Sequence, residues 1–470
     1  MNIDALIRDS RLTDPLDQLG ESLRDPEHAV SDVVDAAGHQ YVDLVMAGGG
    51  LRGIALVGYT WALERMGLRL LGVGGTSAGS INALLMAALA DPGTAVSPRL
   101  LEILGGVDFH RFVDGGADVR DFLDLALNQR PLTTFKLLRL GWRLLAVRER
   151  LSTRYGLNPG EHFLYWLSGL LAQAGIATTA ELVARQARQP PGLALRAGVA
   201  VATTAGLPRG RLVIVAADLW SQTRVEFPRM AELYWSDPTQ VNPALYVRGS
   251  MAFPFFFEPL RLTELPADPG AAVRWAKHAG LVTAQSTDRQ LPTRAMLTDG
   301  GLLSNFPIDV FHTPDRVPRL PTFGVRLQAD HRVDAGRPFV GDRGLAGLAA
   351  FSGMLIDTAT RQLDYEFIRR NPDYRHLVSE IPCERVHPDG RREPIPALDF
   401  ALPAADKELL FRQGAETALA FVRGFASPVT ADGRPADPPA AAAYSSKWLF
   451  YKELRRRLAQ VQATAAEAGG

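Results

Sequence analysis

The chain of 470 residues exceeds one average domain, although a single large α/β domain with insertions can reach this length. Its 51 basic and 51 acidic side chains cancel, which argues against a general nucleic-acid binder because such proteins carry a basic excess. The one cysteine, Cys383, cannot form an internal disulfide and fits a reducing compartment. We expect Cys383 to be a small structural residue.

The amino-terminal segment lacks the basic start and apolar core of a secretory signal. No apolar run approaches the roughly 18–20 residues of a membrane span, and the longest, residues 81–90, is typical of a buried helix. The sequence therefore predicts a cytoplasmic protein with at most peripheral membrane contact. Export without a cleaved signal stays open.

The first hundred residues predict alternating strands and helices after a polar, acidic lead-in over residues 1–40. A strand near 41–46 runs into a glycine turn and a helix over 54–66. A second strand over 68–75 runs into a second glycine turn and a helix over 78–90. This order is typical of an α/β domain with a mostly parallel sheet.

The remaining chain predicts a helical insertion followed by a return to the sheet. Residues from about 100 to 200 are mostly helical and show no obvious strand. Further strands are predicted at 211–219, 295–297, 322–327 and 376–381, with a helix over 406–425. A Pro/Ala-rich linker at 427–443 precedes an amphipathic helix over 446–463. We expect three parts: the lead-in 1–40, the α/β domain 41–425 with its insertion at about 100–200, and the carboxyl-terminal linker and helix 426–470.

The first glycine turn is Gly48-Gly49-Gly50-Leu51-Arg52-Gly53. It satisfies G-x-G-x-x-G, but the next strand offers no acidic residue for a ribose, and no G-K-[ST] of a phosphate loop follows. Two interpretations remain. The turn is a tight connection without a ligand, or its amides and the helix amino terminus cradle an anion such as a tetrahedral acyl oxyanion.

The second glycine turn, Gly75-Thr76-Ser77-Ala78-Gly79, matches G-x-S-x-G between a predicted strand and a predicted helix. This is the context of a nucleophile elbow, in which small neighbours let strand and helix pass closely. The elbow presents the Ser77 hydroxyl at the helix amino terminus, where developing negative charge is stabilised. The alternative is a small-residue turn without chemistry.

A carboxylate is the candidate base for this serine. Asp299 follows a short apolar strand, and Gly300 and Gly301 allow its loop to turn close to the site. None of the nine histidines has a comparable setting. His312, the nearest after Asp299, is interpreted as a surface or helix-capping histidine.

These motifs, GGGLRG, GTSAG and DGGLLSNFP in this order, resemble the three-part signature of patatin-like phospholipases. The segment SMAFPFFFEP at 250–259 is similar to the one that precedes the acid in that family. The resemblance covers about 42–313 and extends to about 425. It implies a patatin-like three-layer α/β/α fold with a mostly parallel central sheet and a helical insertion.

The resemblance also implies a phospholipase A-type lipid acyl hydrolase with Ser77 as nucleophile, Asp299 as general base and an acyl-serine intermediate. Burial would raise the Asp299 pKa above its ordinary value of about 3.9 and improve it as a base. Arg52 orients the turn, meets a phosphate, or is an ordinary surface arginine. The implied site comprises the oxyanion turn Gly48, Gly49, Gly50, Leu51, Arg52 and Gly53, the elbow residues Gly75, Thr76, Ala78 and Gly79, and the acid-loop glycines Gly300 and Gly301. No metal or other cofactor is implied.

The expected partner is a phospholipid or other acyl lipid, with peripheral membrane contact and no nucleic acid. Lys136, Arg139 and Arg143 share one predicted helix face, which favours either an anionic membrane surface or a solvated edge of a cap helix. The tail helix docks on a membrane, packs on the domain, or makes an oligomer contact. The four phenylalanines within 253–257 line an acyl channel or pack in the core.

Three other functions stay open at this stage. A serine esterase or thioesterase acting on soluble esters would use the same dyad. A catalytically silent scaffold could share the fold. A toxin-like effector could carry the lipase to a target membrane.

Overall fold

The computed structural model describes residues 3–25, 28–119, 148–197, 199, 206–280, 291–314, 316–328, 364–397, 402–437 and 439–468. These residues form a mixed α/β fold around a ten-stranded, largely parallel sheet. The predicted fold class is therefore confirmed. The stretch containing Lys136, Arg139 and Arg143 lies outside the described residues.

In chain order the described strands are β1 (Val33–Val34), β2 (Gln40–Met46), β3 (Leu68–Thr76), β4 (Gly156–Asn158), β5 (Ala194–Leu195), β6 (Arg211–Asp218), β7 (Thr223–Phe227), β8 (Phe255–Phe257), β9 (Leu260–Leu262), β10 (Ala295–Asp299), β11 (Thr322–Leu327), β12 (Val378–Ile381), β13 (Glu384–Val386) and β14 (Arg392–Pro394).

The described α-helices are α1 (Ile3–Ile7), α2 (Ser10–Ser22), α3 (Ile54–Arg65), α4 (Ala78–Leu89), α5 (Ser97–Gly106), α6 (Glu161–Gln173), α7 (Thr179–Gln186), α8 (Ala244–Ser250), α9 (Ala271–Ala279), α10 (Ala404–Ala426) and α11 (Lys447–Ala468). Residues 148–153 and 364–370 are also helical.

The central sheet changes direction at β6. Its order is β12-β11-β2-β3-β6-β10-β9, and the strands from β12 to β6 are parallel. Beyond β6, β10 and β9 are antiparallel, and β7 forms a hairpin with β6. All seven residues of β2 are buried, including the polar Gln40 and Asp43, so this strand shows no alternation of apolar and polar residues.

Close helix packing seals one face of the sheet. A Cβ atom added at Gly58 of α3 would meet the Phe411 carbonyl, and one at Gly414 of α10 would meet the Ala55 carbonyl. Glycine at both positions therefore lets the two helix backbones approach directly. The rings of Trp61 and Phe411 lie 5.3 Å apart beside this crossing.

The predicted elements flanking both glycine turns are confirmed within one or two residues of their ends. The expectation of no strand between 100 and 200 is wrong. β4 pairs with β8, and β5 pairs with β1. Strands of two or three residues are too short to show an alternating pattern, so periodicity alone missed them.

Both ends of the chain pack on the domain. Leu12 and Leu16 of α2 are buried. In the tail helix α11, Trp448 is buried and donates from Nε1 to Asp32 Oδ1 at 2.8 Å, and Arg455 is buried beside Asp373. Of the alternatives for the tail, packing on the domain is confirmed for this half of the helix. Within the described residues, no helix combines the length and apolarity that a membrane crossing needs.

Candidate active site

Strand register brings Ser77 and Asp299 together. β3 pairs with the first part of β6 and ends with Thr76 opposite Val215. β10 pairs with the last part of β6 and ends with Asp299 opposite Ala216. Because β3 and β10 run in opposite directions, their carboxyl ends meet at neighbouring positions of β6. The Ser77 hydroxyl lies close enough to the Asp299 carboxyl group to lower its pKa.

Ser77 lies on a strained turn between β3 and α4. Its backbone has φ 51° and ψ −118°, a conformation that a non-glycine residue rarely adopts. A Cβ atom at Gly79 would collide with the Met46 carbonyl, and one at Gly75 would lie 2.5 Å from the Gly79 carbonyl carbon. The turn therefore requires the small residues that its motif supplies, and it places Ser77 at the amino terminus of α4.

Ser250 supports this turn from the last residue of α8. Its Oγ accepts a hydrogen bond from the Ser77 amide at 3.0 Å and donates one to the Val215 carbonyl at 2.6 Å. Sequence reasoning missed this role because Ser250 lies 173 positions from Ser77. Its only signal was its place at the start of the SMAFPFFFEP segment.

Asp299 is buried, with 4% of its surface exposed. Its Oδ1 accepts a hydrogen bond from the Gly301 amide at 2.7 Å, and its own amide donates to the Ala252 carbonyl at 3.0 Å. Burial raises the Asp299 pKa to about 6, against the lowering effects of the Gly301 amide and the Ser77 hydroxyl. The carboxyl group is thus a stronger base than an exposed aspartate while still ionised at neutral pH.

The first glycine turn passes directly over the serine. A Cβ atom at Gly48 would lie 3.2 Å from the Ser77 Cβ. Three amides of the predicted cradle are already engaged: Gly48 donates to the Asn305 carbonyl, Leu51 to the Ala397 carbonyl and Arg52 to the Gly49 carbonyl. Within the described part of the chain, the amides of Gly49 and Gly50 have no acceptor.

The remaining predicted residues of both turns pack between them. Gly53 faces Ala78, since its added Cβ would lie 3.1 Å from the Ala78 Cβ. The Ala78 amide, in the first turn of α4, also lacks an acceptor among the described residues.

Arg52 is buried, with 7% of its surface exposed, so its interpretation as a surface arginine is wrong. Its Nε donates to the Gly49 carbonyl at 3.4 Å, and its Nη1 donates to the Gln328 carbonyl at 2.9 Å. The side chain thus ties the turn to the end of β11, which agrees with the predicted orienting role.

The loop after Asp299 is fastened at several points. The Thr76 hydroxyl donates to the Ser304 carbonyl at 2.9 Å. The Asp364 carboxylate accepts from the Ser304 hydroxyl at 2.7 Å and from the Phe306 amide at 2.8 Å. Burial raises the Asp364 pKa to about 7. Asp364 carries no motif and was missed from sequence, because only the tertiary fold brings it to this loop.

His312 and Cys383, which the sequence analysis considered, lie in other environments of the fold. His312 is half-buried between Phe367 and Tyr374, so its interpretation as a surface or capping residue is wrong. Burial lowers its pKa to about 4. Cys383 is buried. Across the described ranges, no group of three or more His, Cys, Asp or Glu side chains could hold a metal ion.

A family model described as "Patatin-like phospholipase" matches residues 44–312, more than half of the chain. The chain belongs to the patatin-like phospholipase family. Membership places it among lipid hydrolases and accounts for the order of its glycine turns and acid loop. The family predicted from the three motifs is thereby confirmed.

Individual proteins that match this chain share limited sequence identity with it. "Uncharacterized protein YqhO" of Bacillus subtilis (strain 168) is 27% identical over 292 residues, which cover 62% of this chain and 73% of that protein. The crystal structure of VipD from Legionella pneumophila matches at 15% identity and a TM-score of 0.36, covering 84% of this chain and 70% of that chain. The ExoU–SpcU complex of the Pseudomonas aeruginosa type III secretion system matches at 15% identity and a TM-score of 0.31, covering 82% and 51%. At such TM-scores the superpositions add nothing to the patatin-like assignment.

Proposed function

We propose that this patatin-like protein is a phospholipase A-type lipid acyl hydrolase that works through a Ser77–Asp299 dyad. The observation that carries the proposal is the close approach of a serine on a strained elbow to a buried aspartate of raised pKa. Unengaged amides lie beside the serine, where an oxyanion would form. Nucleophile, base and oxyanion donors are the three parts that acyl transfer requires.

In the first half-reaction, Ser77 Oγ attacks the ester carbonyl carbon while Asp299 takes the hydroxyl proton. The carbonyl oxygen becomes an oxyanion, for which the amides of Gly49, Gly50 and Ala78 are the donors. The tetrahedral intermediate then collapses, and its carbon–oxygen bond to the alcohol breaks. Asp299 returns the proton to the leaving alkoxide, and the acyl group stays on Ser77.

In the second half-reaction, water takes the place of the alcohol. Asp299 removes one proton from the water as its oxygen attacks the acyl carbon. Collapse of the second intermediate breaks the bond to Ser77 Oγ, which recovers its proton from Asp299. The products are a free fatty acid and the regenerated enzyme.

The strain at Ser77 argues against a catalytically silent scaffold. A left-handed non-glycine residue and a buried, ionisable carboxyl group both cost free energy of folding. A protein that only needed the fold could remove both costs by substitution. Their coincidence at one place in the fold favours retained chemistry.

The test is fatty-acid release from mixed phospholipid vesicles by the wild type, Ser77→Ala and Asp299→Asn. We expect release by the wild type and loss of at least about a thousandfold in both variants, because each removes one half of the acyl-transfer pair. Ser379→Ala is the matched control. It deletes a half-buried hydroxyl of β12 that donates to Tyr59 at 3.0 Å, and it should leave the rate unchanged.

Other outcomes separate the rival functions. Hydrolysis of soluble acyl esters or thioesters with no release from vesicles would move the assignment to a soluble esterase. Labelling of the wild type but not Ser77→Ala by a fluorophosphonate would show a reactive serine in either case. Full activity in Asp299→Asn would refute the dyad.

A further inference from the structure

Five exposed apolar side chains lie close to the proposed active site and are called here the aromatic surface: Tyr155, Leu219, Trp220, Phe253 and Phe255. Phe255 and Trp220 are the most open, at 62% and 58% exposure. Of the four phenylalanines predicted for an acyl channel or the core, only Phe256 and Phe257 are buried. Exposed aromatic groups of this kind mark interaction sites more often than isolated surface residues do.

The strand register places Leu219 and Tyr155, at the two ends of the aromatic surface, on either side of Met296 and Arg261. Met296 of β10 lies opposite Arg261 of β9, and its carbonyl accepts from the Leu219 amide at 2.9 Å. Side chains directly opposite in a sheet project to the same face, so these three form a row across β9, β10 and the end of β6. The Arg261 guanidinium then lies 5.2 Å from the centre of the Tyr155 ring.

The aromatic surface adjoins the proposed dyad. Phe253 directly follows Ala252, whose carbonyl accepts from the Asp299 amide at 3.0 Å and from the Thr298 hydroxyl at 2.7 Å. Met296 precedes Asp299 by three positions on β10, which is about 10 Å along a strand. The aromatic surface therefore lies at the same end of the sheet as Ser77 and Asp299.

Two of the rings are held in costly backbone conformations. Tyr155 and Phe255 have φ values of 62° and 66°, in the left-handed region that glycine adopts far more readily. They are neighbours across the β4–β8 ladder, in which Gly156 pairs with Phe255. Because both side chains are exposed, core packing does not offset the strain, and the conformation points to a role for the rings themselves.

Trp220 is displayed on a fixed hairpin tip between β6 and β7. The Asp218 carboxylate accepts from the Trp220 amide at 3.0 Å, from the Met296 amide at 3.1 Å and from the Ser221 hydroxyl at 2.6 Å. These bonds fix the backbone that carries the indole. Binding through the Trp220 side chain therefore carries little entropic cost for ordering the backbone.

Two arginines lie at the rim of the aromatic surface. Arg154 and Arg261 are exposed beside the aromatic surface, and Arg261 donates to the Thr153 carbonyl at 2.9 Å. Arg154 forms an ion pair with Glu258, with 3.4 Å between Nη1 and Oε1. Tryptophan and tyrosine rings concentrate at the boundary between lipid and water, and basic side chains there attract anionic headgroups.

We propose that the aromatic surface, with Arg154 and Arg261, is the face by which the protein docks on an anionic phospholipid bilayer. This inference rests on the proposed function, since the bilayer supplies the substrate of the Ser77–Asp299 dyad. The docking face then lies on strands and connections near the site. It does not include the tail helix, whose first half packs on the domain.

Binding is measured by co-sedimentation with phosphatidylcholine vesicles that contain or lack phosphatidylglycerol. A Ser77→Ala background prevents turnover during the measurement. Trp220→Ala and Phe255→Ala should each weaken binding about tenfold, the loss expected when one aromatic side chain no longer enters an apolar layer. Arg154→Gln with Arg261→Gln should abolish the preference for anionic vesicles.

A leucine pair provides the matched control. Leu219→Ala should weaken vesicle binding, whereas Leu449→Ala should not, because Leu449 is exposed on α11 near Asp32 instead of beside the dyad. Equal effects of the two substitutions, or unchanged affinity in the Trp220 and Phe255 variants, would overturn the docking surface.

Catalysis distinguishes this proposal from the proposed function. With Ser77 intact, the Trp220 and Phe255 variants should lose vesicle hydrolysis in proportion to binding and keep full hydrolysis of a soluble short-chain ester. Vesicle binding that follows the expected pattern, in a protein that hydrolyses no ester, would refute the dyad while supporting the docking surface. Hydrolysis of vesicles that is insensitive to these substitutions would do the reverse.

Discussion

Asp299→Asn should stabilise the protein while removing its activity. Burial raises the Asp299 pKa from 3.8 to about 6. A raised pKa means that the folded protein retains a proton that the unfolded chain has lost. The free energy of unfolding therefore falls as the pH rises from 3.8 through about 6, and the full penalty remains at higher pH. Asparagine keeps the shape and has no charge to desolvate.

The magnitude follows from the shift of the pKa. A difference of about 2 pH units at 1.36 kcal/mol each corresponds to about 3 kcal/mol at pH 8. No discount for solvent screening applies, because Asp299 is only 4% exposed. Near pH 4 the carboxyl group is protonated in the folded state and about three-fifths ionised in the unfolded state, so the gain should fall to about 0.6 kcal/mol.

The assay is urea unfolding of the wild type and Asp299→Asn at pH 8 and at pH 4. At each pH the free energy of unfolding of the wild type is subtracted from that of Asp299→Asn. The contributions of the other titrating groups cancel in this difference. Asp437→Asn, at an exposed carboxylate, serves as the control and should change stability little at either pH. A gain of equal size at both pH values, or a loss of stability at pH 8, would show that the buried charge is not the source of the effect.

Two further predictions concern the same pair of strands. The single-turnover rate of Ser77 acylation should rise about tenfold per pH unit below about pH 6 and level off above it, because only ionised Asp299 accepts the proton; a flat profile between pH 4.5 and 8 would contradict this. Ser250→Ala should lower kcat about tenfold at unchanged KM and reduce stability by about 1–3 kcal/mol, because it leaves the Ser77 amide and the Val215 carbonyl without their partner. Steady-state kinetics with urea unfolding measures both effects, and an unaltered kcat would remove Ser250 as a positioning residue.

The parts of the fold that were predictable from sequence are those whose cause is local. β2 and residues 71–76 of β3 are buried, and neither stretch alternates regularly between apolar and polar residues. The turns after them need glycine because Met46 and Gly79 backbone atoms approach within contact distance. Asp299 could be placed because it follows a strand and precedes two glycines.

The supports of the site could not be predicted in the same way. Ser250 and Asp364 act through hydrogen bonds whose partners are distant in the chain, so no spacing pattern records their roles. The exposure of Phe255 was equally invisible, since four phenylalanines in five positions favour a buried strand. Its left-handed backbone appears only when β4 lies beside β8.

The meeting of β3 and β10 on β6 also bears on how the protein is made. During synthesis the elbow bearing Ser77 emerges long before Ser250 and Asp299, and β10 can pair with β6 only after both have left the ribosome. The nascent chain therefore carries a serine without a base. On the proposed mechanism, hydrolytic activity therefore cannot begin before β10 has been synthesised and has paired with β6.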